Sequence, residues 1–178
     1  MNSYNKLMNY NFNSIFKNVI QVGIIVSNLK KTLEKYSKGY GIGPWYVKKY
    51  SGDNVKDMYL YEKRKNYSMN LAFCSIGNVQ FELIEPISSS IYTEFYDKYG
   101  EGVIHHLKME VQDYESALCF FKLNGIKVIM SGNHMGRKYS YLSTSNDIGF
   151  ITEIASAPTD FARPEPDYWY PESKILSE

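Results

Sequence analysis

The order of apolar and polar positions in this chain runs through once and then recurs. Val19 to Val26 (VIQVGIIV) is β-branched and bounded by polar residues, which predicts a strand. Ser27-Asn28 supplies a helix cap, and Leu29, Leu33 and Tyr36 follow at helical spacing until Gly39 and Gly41 end the run. "GIGPWYVKKY" turns at Gly43-Pro44 and continues as a strand. Residues 51–66 are charged and irregular, the pattern of a long loop or hairpin. Ser68–Cys74 and Val79–Ile84 predict paired strands joined by a turn at Gly77-Asn78.

The second half begins again with a strand, Val103–Val111. Asp113 is the next cap, and Tyr114, Ala117, Leu118 and Phe121 lie at i, i+3, i+4, i+7. Asn124-Gly125 stops that helix, and Ile126–Met130, Tyr139–Ser143 and Phe150–Ala155 predict three further strands. Each half therefore reads β-α-β-β-β. Setting one on the other places Gln21 on His106, Asn28 on Asp113, Leu33 on Leu118 and, at the far end, Glu82 on Glu153. The expected fold class is α+β: two paired βαβββ modules, 19–86 and 103–156, forming a curled mixed sheet around a central cleft. Residues 1–18 are read as an N-terminal extension, 87–102 as a connecting helix and the Pro-rich 157–178 as a tail wrapping the surface.

Strand alternation sorts the polar residues. On Val103–Val111, His105, Leu107, Met109 and Val111 share the face that packs on the helix, and His106, Lys108 and Glu110 point into the cleft. Gln21 points there from the first strand, and Glu82 and Glu153 stand between apolar neighbours on the last strand of each half. Two carboxylates buried together are expensive without a compensating positive charge. A divalent metal supplies it, and Gln21, Glu82, His106 and Glu153 form a mixed oxygen–nitrogen set suited to Zn, Ni, Co or Mn, with positions left for solvent or substrate. A histidine on a strand is more often structural than a ligand. It is the matched placement across the repeat that singles out these four. His105 is expected to be structural, hydrogen-bonding behind its neighbour. His134, in the turn-like "SGNHMGRKY", is expected to be exposed.

Composition narrows the field. A net charge of +1 over 178 residues gives no electrostatic footprint for nucleic acid. No apolar run approaches the length of a membrane span, and the N-terminus lacks a signal-peptide core. Cys74 and Cys119 fit no metal spacing, and a reducing cytoplasm is the simplest setting. "GIGPW" lacks the Lys-Ser/Thr of a phosphate loop.

The segments "VIQVGIIVSNLKKTLEKYSKGYGIGPWYV", "VQFELIEP", "YTEFYDKYGEGVIHHLKMEVQDYESAL" and "YLSTSNDIGFITEI" resemble the glyoxalase/epimerase-like branch of the vicinal oxygen chelate superfamily. The resemblance spans roughly residues 18–156 and rests on the order of the motifs more than on any one of them. It implies metal ligands at Gln21, Glu82, His106 and Glu153. Gln at the first position is similar to zinc-type glyoxalase I enzymes, and it departs from the two histidines and one carboxylate of an extradiol dioxygenase. "HHLKMEV", with Glu110, is more epimerase-like, whereas Glu82 stands where epimerases generally carry Gln. The implied activity is a metal-dependent lyase or isomerase of the glyoxalase I type, moving a proton through a metal-stabilised enediolate, with Glu153 as base and Glu82 as its counterpart. The alternatives are an acyl-CoA epimerase, or a metal-free binding protein in which Trp45, Tyr46, Phe73 and Tyr141 stack on a flat ligand. Arg64, Arg137 and Lys108 are the basic candidates for an anionic portion of the small-molecule substrate. A homodimer is the assembly the resemblance implies.

Overall fold

The computed structural model describes residues 15–172. Its strands are β1 (Phe16–Ile25), β2 (Trp45–Tyr50), β3 (Lys56–Leu60), β4 (Lys63–Arg64), β5 (Met69–Ile76), β6 (Val79–Pro86), β7 (Ile104–Val111), β8 (Val128–His134), β9 (Arg137–Leu142), β10 (Ile151–Ala155) and β11 (Tyr168–Tyr170). Four helices, α1 (Leu29–Tyr40), α2 (Ile91–Tyr99), α3 (Tyr114–Leu123) and the short α4 (Ser145–Ile148), punctuate them. The strands form one mixed sheet in the order β11-β2-β5-β6-β1-β7-β10-β9-β8-β3-β4. This is the α+β architecture with a large mixed sheet that the repeat predicts.

Local chemistry explains the helix boundaries. Asn28 Oδ1 accepts from the Lys31 amide at 2.9 Å and opens α1, and Gly41, at φ 66°, closes it in the left-handed conformation a side chain disfavours. Asp113 Oδ1 accepts from the Ser116 amide at 2.7 Å and opens α3. Leu29 and Leu33 of α1 pack with Val26, Trp45, Val47, Ala72 and Leu83 on one sheet face. Tyr114, Ala117 and Phe121 of α3 do the same with Leu142 and Ile154. A third cluster lies on the other, cleft side, where Tyr92 of α2 joins Ile25, Met69, Leu71, Ile84 and Tyr141.

The two halves meet along β1 and β7, which pair antiparallel. There Gly23 lies opposite His106, and Gln21 opposite Lys108. Outward from this seam, Gly23 is level with Glu82 on β6, and Lys108 with Glu153 on β10. These pairs exchange with one another when the first half is laid on the second, as the sequence repeat requires.

Four local expectations change. Residues 51–66 contain a β3–β4 hairpin, and β3 pairs with β8 of the opposite half, so this insertion protects that half's edge. The second strand of the second half starts at Val128 and runs on to His134, which is buried at 7% exposure. Met130, Gly132 and His134 alternate inward along it, and Ser-Gly-Asn does not break the strand. The tail contributes β11, which pairs with β2 and covers the other edge. Finally, alternation fails at the paired histidines. Gly23 faces His106 but Ile24 faces Ile104, so β7 carries one extra residue, a β-bulge at His105. The bulge brings both imidazoles to the cleft side. His105 packs against Tyr92 and Phe95 of α2 and against Tyr141 of β9, not in the cluster around α3. Residues 1–14 of the expected extension and 173–178 of the tail lie outside the described residues.

Candidate metal centre

His106 Nε2 lies 3.2 Å from Glu82 Oε2 and 3.0 Å from Glu153 Oε2. All three residues are buried, and their ligand atoms fall within 4.8 Å of one another. Two ligands held about 2.1 Å from one ion at tetrahedral or octahedral angles stand about 3.0–3.4 Å apart, so these spacings match neighbouring vertices of a coordination sphere. No hydrogen bond from outside the cluster reaches Glu82 Oε2, His106 Nε2 or Glu153 Oε2, and Gln21 Oε1, on the same cavity, is likewise buried and unpartnered. Burying four such atoms costs several kcal/mol unless a cation binds them. The four residues expected from the sequence are the residues that present these unpartnered atoms, and together they fit a divalent ion.

The surroundings orient each ligand. Gln21 donates through Nε2 to Gln80 Oε1 at 2.7 Å, which turns its carbonyl oxygen away from Gln80. The His106 ring lies over Gly23: a Cβ there would sit 2.0 Å from His106 Cε1. Gly23 therefore makes room for the imidazole, and its φ lies outside the left-handed region. His106 Nδ1 is 3.0 Å from His105 Nδ1. Burial and the adjacent His106 hold the His105 pKa well below the ordinary range, so His105 is neutral, and its Nδ1 accepts whenever His106 is protonated on both nitrogens. That bond fixes Nε2 of His106 toward the carboxylates, the role an outer hydrogen bond plays for a metal-binding histidine. Tyr141 packs edge-on against the His106 ring at 5.0 Å and accepts a hydrogen bond from Tyr92 at 2.7 Å.

The electrostatics are unequal between the carboxylates. Lys108 is buried and its Nζ lies 2.6 Å from Glu153 Oε1, which leaves Oε2 facing His106. Burial opposes ionisation of Glu153, but the Lys108 ammonium and His106 outweigh it and hold its carboxyl well below the usual range. Burial likewise depresses the Lys108 pKa, with Glu153 opposing that shift. Burial alone would depress His106 too; the bonds to Glu153 and Glu82 and their charge prevail and push it up to about 9. A proton on His106 is thus the alternative to a metal ion as counter-charge in this cluster.

A cavity of about 70 Å³ adjoins the cluster, lined by Gln21, Glu82, Lys108, Glu153, Phe73 and Tyr141 together with Tyr50, His134 and Arg137. Trp45, expected in the cleft, instead sits fully buried beside α1 and donates to the Ile42 carbonyl at 2.8 Å. Tyr46 lies under the tail, its hydroxyl donating to the Pro164 carbonyl at 2.6 Å. Glu110 accepts from Asn18 at 2.6 Å, away from the cavity lining. Sequence reasoning passed over Gly23 and His134. A glycine inside a β-branched strand, two residues from a candidate ligand, was a usable sign of close approach.

Paired repeats, a seam of two antiparallel strands and a buried cluster of three metal-ligand side-chain types define a protein of the glyoxalase fold with a candidate metal site. The sequence profile of the glyoxalase/bleomycin resistance protein/dioxygenase superfamily matches residues 20–141, and the chain belongs to that family. It is similar in structure to a hypothetical protein from Bacillus halodurans C-125, at 24% identity over 83% of this chain and 98% of that one, TM-score 0.60. The methylmalonyl-CoA epimerase of Mycobacterium tuberculosis is similar at 19% identity, covering 82% and 91%, TM-score 0.61. A methylmalonyl-CoA epimerase variant from Streptomyces coelicolor, in complex with 2-nitronate-propionyl-CoA, is similar at 21% identity, covering 83% and 99%, TM-score 0.59. No curated protein matches the chain in sequence. No helix among the described residues is long and apolar enough to cross a membrane.

Proposed function

We propose that this chain is a metal-dependent lyase or isomerase of the glyoxalase I type, moving a proton between carbons next to a carbonyl. The observation that carries this reading is the convergence of buried ligand atoms of Glu82, His106 and Glu153 within 4.8 Å of one another, with the unpartnered Gln21 on the same cavity. A divalent ion held by Gln21, Glu82, His106 and Glu153 supplies Lewis acidity, polarising a substrate oxygen and making the adjacent C–H bond easier to ionise. Glu153 is the base and Glu82 its counterpart in moving the proton. Lys108 holds one oxygen of Glu153 and orients the other. Tyr141 and Phe73 shield the reacting carbons from water, and the 70 Å³ chamber admits only a few heavy atoms, so any thiol carrier stays outside.

An epimerase acting α to a thioester would use the same carboxylate pair. The test offers two substrates in deuterated water to protein of measured metal content: the hemithioacetal of methylglyoxal and glutathione, and methylmalonyl-CoA. Turnover of the hemithioacetal, lost in Glu82→Gln or Glu153→Gln with metal retained, supports the reading. Exchange at the α-carbon of methylmalonyl-CoA alone moves the function to epimerisation. Metal-retaining Glu153→Gln and Glu82→Gln variants that both keep full turnover would rule out this proton-transfer scheme.

A further inference from the structure

His134 and Arg137 are not needed by the chemistry proposed above, yet they face the same cavity. They are register partners across the β8–β9 hairpin, flanking the two-residue turn Met135-Gly136. His134 Nδ1 lies 2.7 Å from the Asn54 carbonyl, an acceptor, so Nδ1 carries the proton and Nε2 is the atom left to act. Nε2 is buried and has no partner, in a side chain 93% removed from solvent by its 7% exposure. The Tyr50 ring meets the imidazole edge-on at 4.9 Å and locks its orientation. Arg137 is half-buried, makes no ion pair among the described residues, and is covered by Phe161 of the tail at 5.8 Å. A buried imidazole nitrogen without a partner and a guanidinium without an ion pair among the described residues thus line one small chamber.

We propose that His134 and Arg137 form the recognition end of the chamber for a small anionic substrate: Arg137 holds its carboxylate, and His134 Nε2, which carries no proton, accepts from a hydroxyl on the same molecule. The inference rests on reading the chamber as the reaction site. Charge favours an anion: a divalent ion balances Glu82 and Glu153, which leaves Lys108 and Arg137 positive. Shape favours a carboxylate, because the planar fork of Arg137 matches its two oxygens and the chamber holds only about 70 Å³. The reacting carbons then lie between an anchored carboxylate and the carboxylates of Glu82 and Glu153.

The test is calorimetric titration of the full-length chain with malonate, neutral malonamide and inorganic phosphate, both metal-loaded and after chelation. Malonate is expected to bind in the metal-loaded chain, with malonamide and phosphate at least about 10-fold weaker. Arg137→Gln should weaken malonate by about 10-fold or more, whereas His134→Asn, which keeps a donor for the Asn54 carbonyl and removes Nε2, should leave malonate unchanged and weaken hydroxymalonate, titrated alongside, by about 3-fold to 10-fold. Arg137→Lys keeps the charge and loses the fork, and serves if Arg137→Gln fails to fold; a loss of about 3-fold is expected there. Bound metal with no malonate binding, or with malonate bound equally by the wild type and the Arg137 variants, overturns this inference and leaves the proposed reaction standing. Phosphate binding as tightly as malonate overturns it too. Arg137-dependent malonate binding in a chain that takes up no metal supports the recognition end and defeats the metal-dependent reaction.

Discussion

On the first half of the sheet, Glu82 stands level with Gly23; at the matching place in the second half, Glu153 stands level with Lys108. The repeat has kept two carboxylates and changed what lies beside them. Gly23 offers no side chain, and the space it leaves is filled by the His106 ring. Lys108 offers an ammonium, and it holds one oxygen of Glu153 at 2.6 Å. Glu82 therefore faces the cluster without a cation of its own half, whereas Glu153 is ion-paired before anything binds. A pseudo-symmetric scaffold has in this way produced two chemically distinct carboxylates. The Lys108 ammonium favours the ionised form of Glu153 and has no counterpart level with Glu82.

The most severe way to break this contrast is to remove what both carboxylates share. His106→Ala should lower affinity for a divalent ion by at least about 100-fold, measured by competition with a chromogenic chelator. Lys108→Met comes next and acts with opposite signs on two readouts. It leaves Glu153 buried without its partner, so the metal-free fold should lose about 3–5 kcal/mol in urea denaturation. It also removes a positive charge beside the ion site, so metal affinity should rise, by about 10-fold. If both quantities fall together, Lys108 is a metal-positioning residue and the contrast between the halves is wrongly drawn. Gly23→Ala attacks the other half: its methyl collides with the imidazole, and about 1–3 kcal/mol of stability and most of the metal affinity should go with it.

Acidity gives a gentler test. His106 has a raised pKa in the folded metal-free chain, about 9 against about 6.5 when unfolded. Its contribution to stability is thus fully present below pH 6.5 and is lost as pH rises through 9. Metal and proton compete for the same nitrogen, so affinity for the ion should climb over that window and level off above it. Urea midpoints and metal titrations between pH 6 and 10 follow both trends. The smallest effect expected is at the tail: Tyr46→Phe removes the bond to the Pro164 carbonyl and should cost about 0.5–1.5 kcal/mol.

Much of this molecule could be read from its residues because burial on a sheet imposes a period of two. Gln21, Glu82, His106 and Glu153 were identified by alternation and by their match across the repeat, and the register along β1 and β7 puts each in its matching place. Alternation failed where the backbone breaks step. The bulge at His105 is an insertion within one strand, set by how β7 meets β1, and nothing in "VIHHL" marks it. His134 was missed because Ser-Gly-Asn looks like a turn, whereas the β3 hairpin, arriving from the other half, pairs with β8 and keeps it extended. Trp45 was placed in the cleft for its aromatic ring alone, and the apolar side of α1 claims it. In each case a contact between segments distant in sequence decided the outcome.

The central claim is that one divalent ion is held by four residues drawn equally from the two halves. Elemental analysis of the purified full-length chain, after exposure to Zn, Ni, Co or Mn and removal of loosely bound metal, tests it most directly. The account predicts one ion per chain in the wild type and markedly less than one in Gln21→Ala, Glu82→Ala, His106→Ala and Glu153→Ala variants that remain folded. A wild-type chain that retains none of the four metals, or retains one equally well without His106, would contradict it.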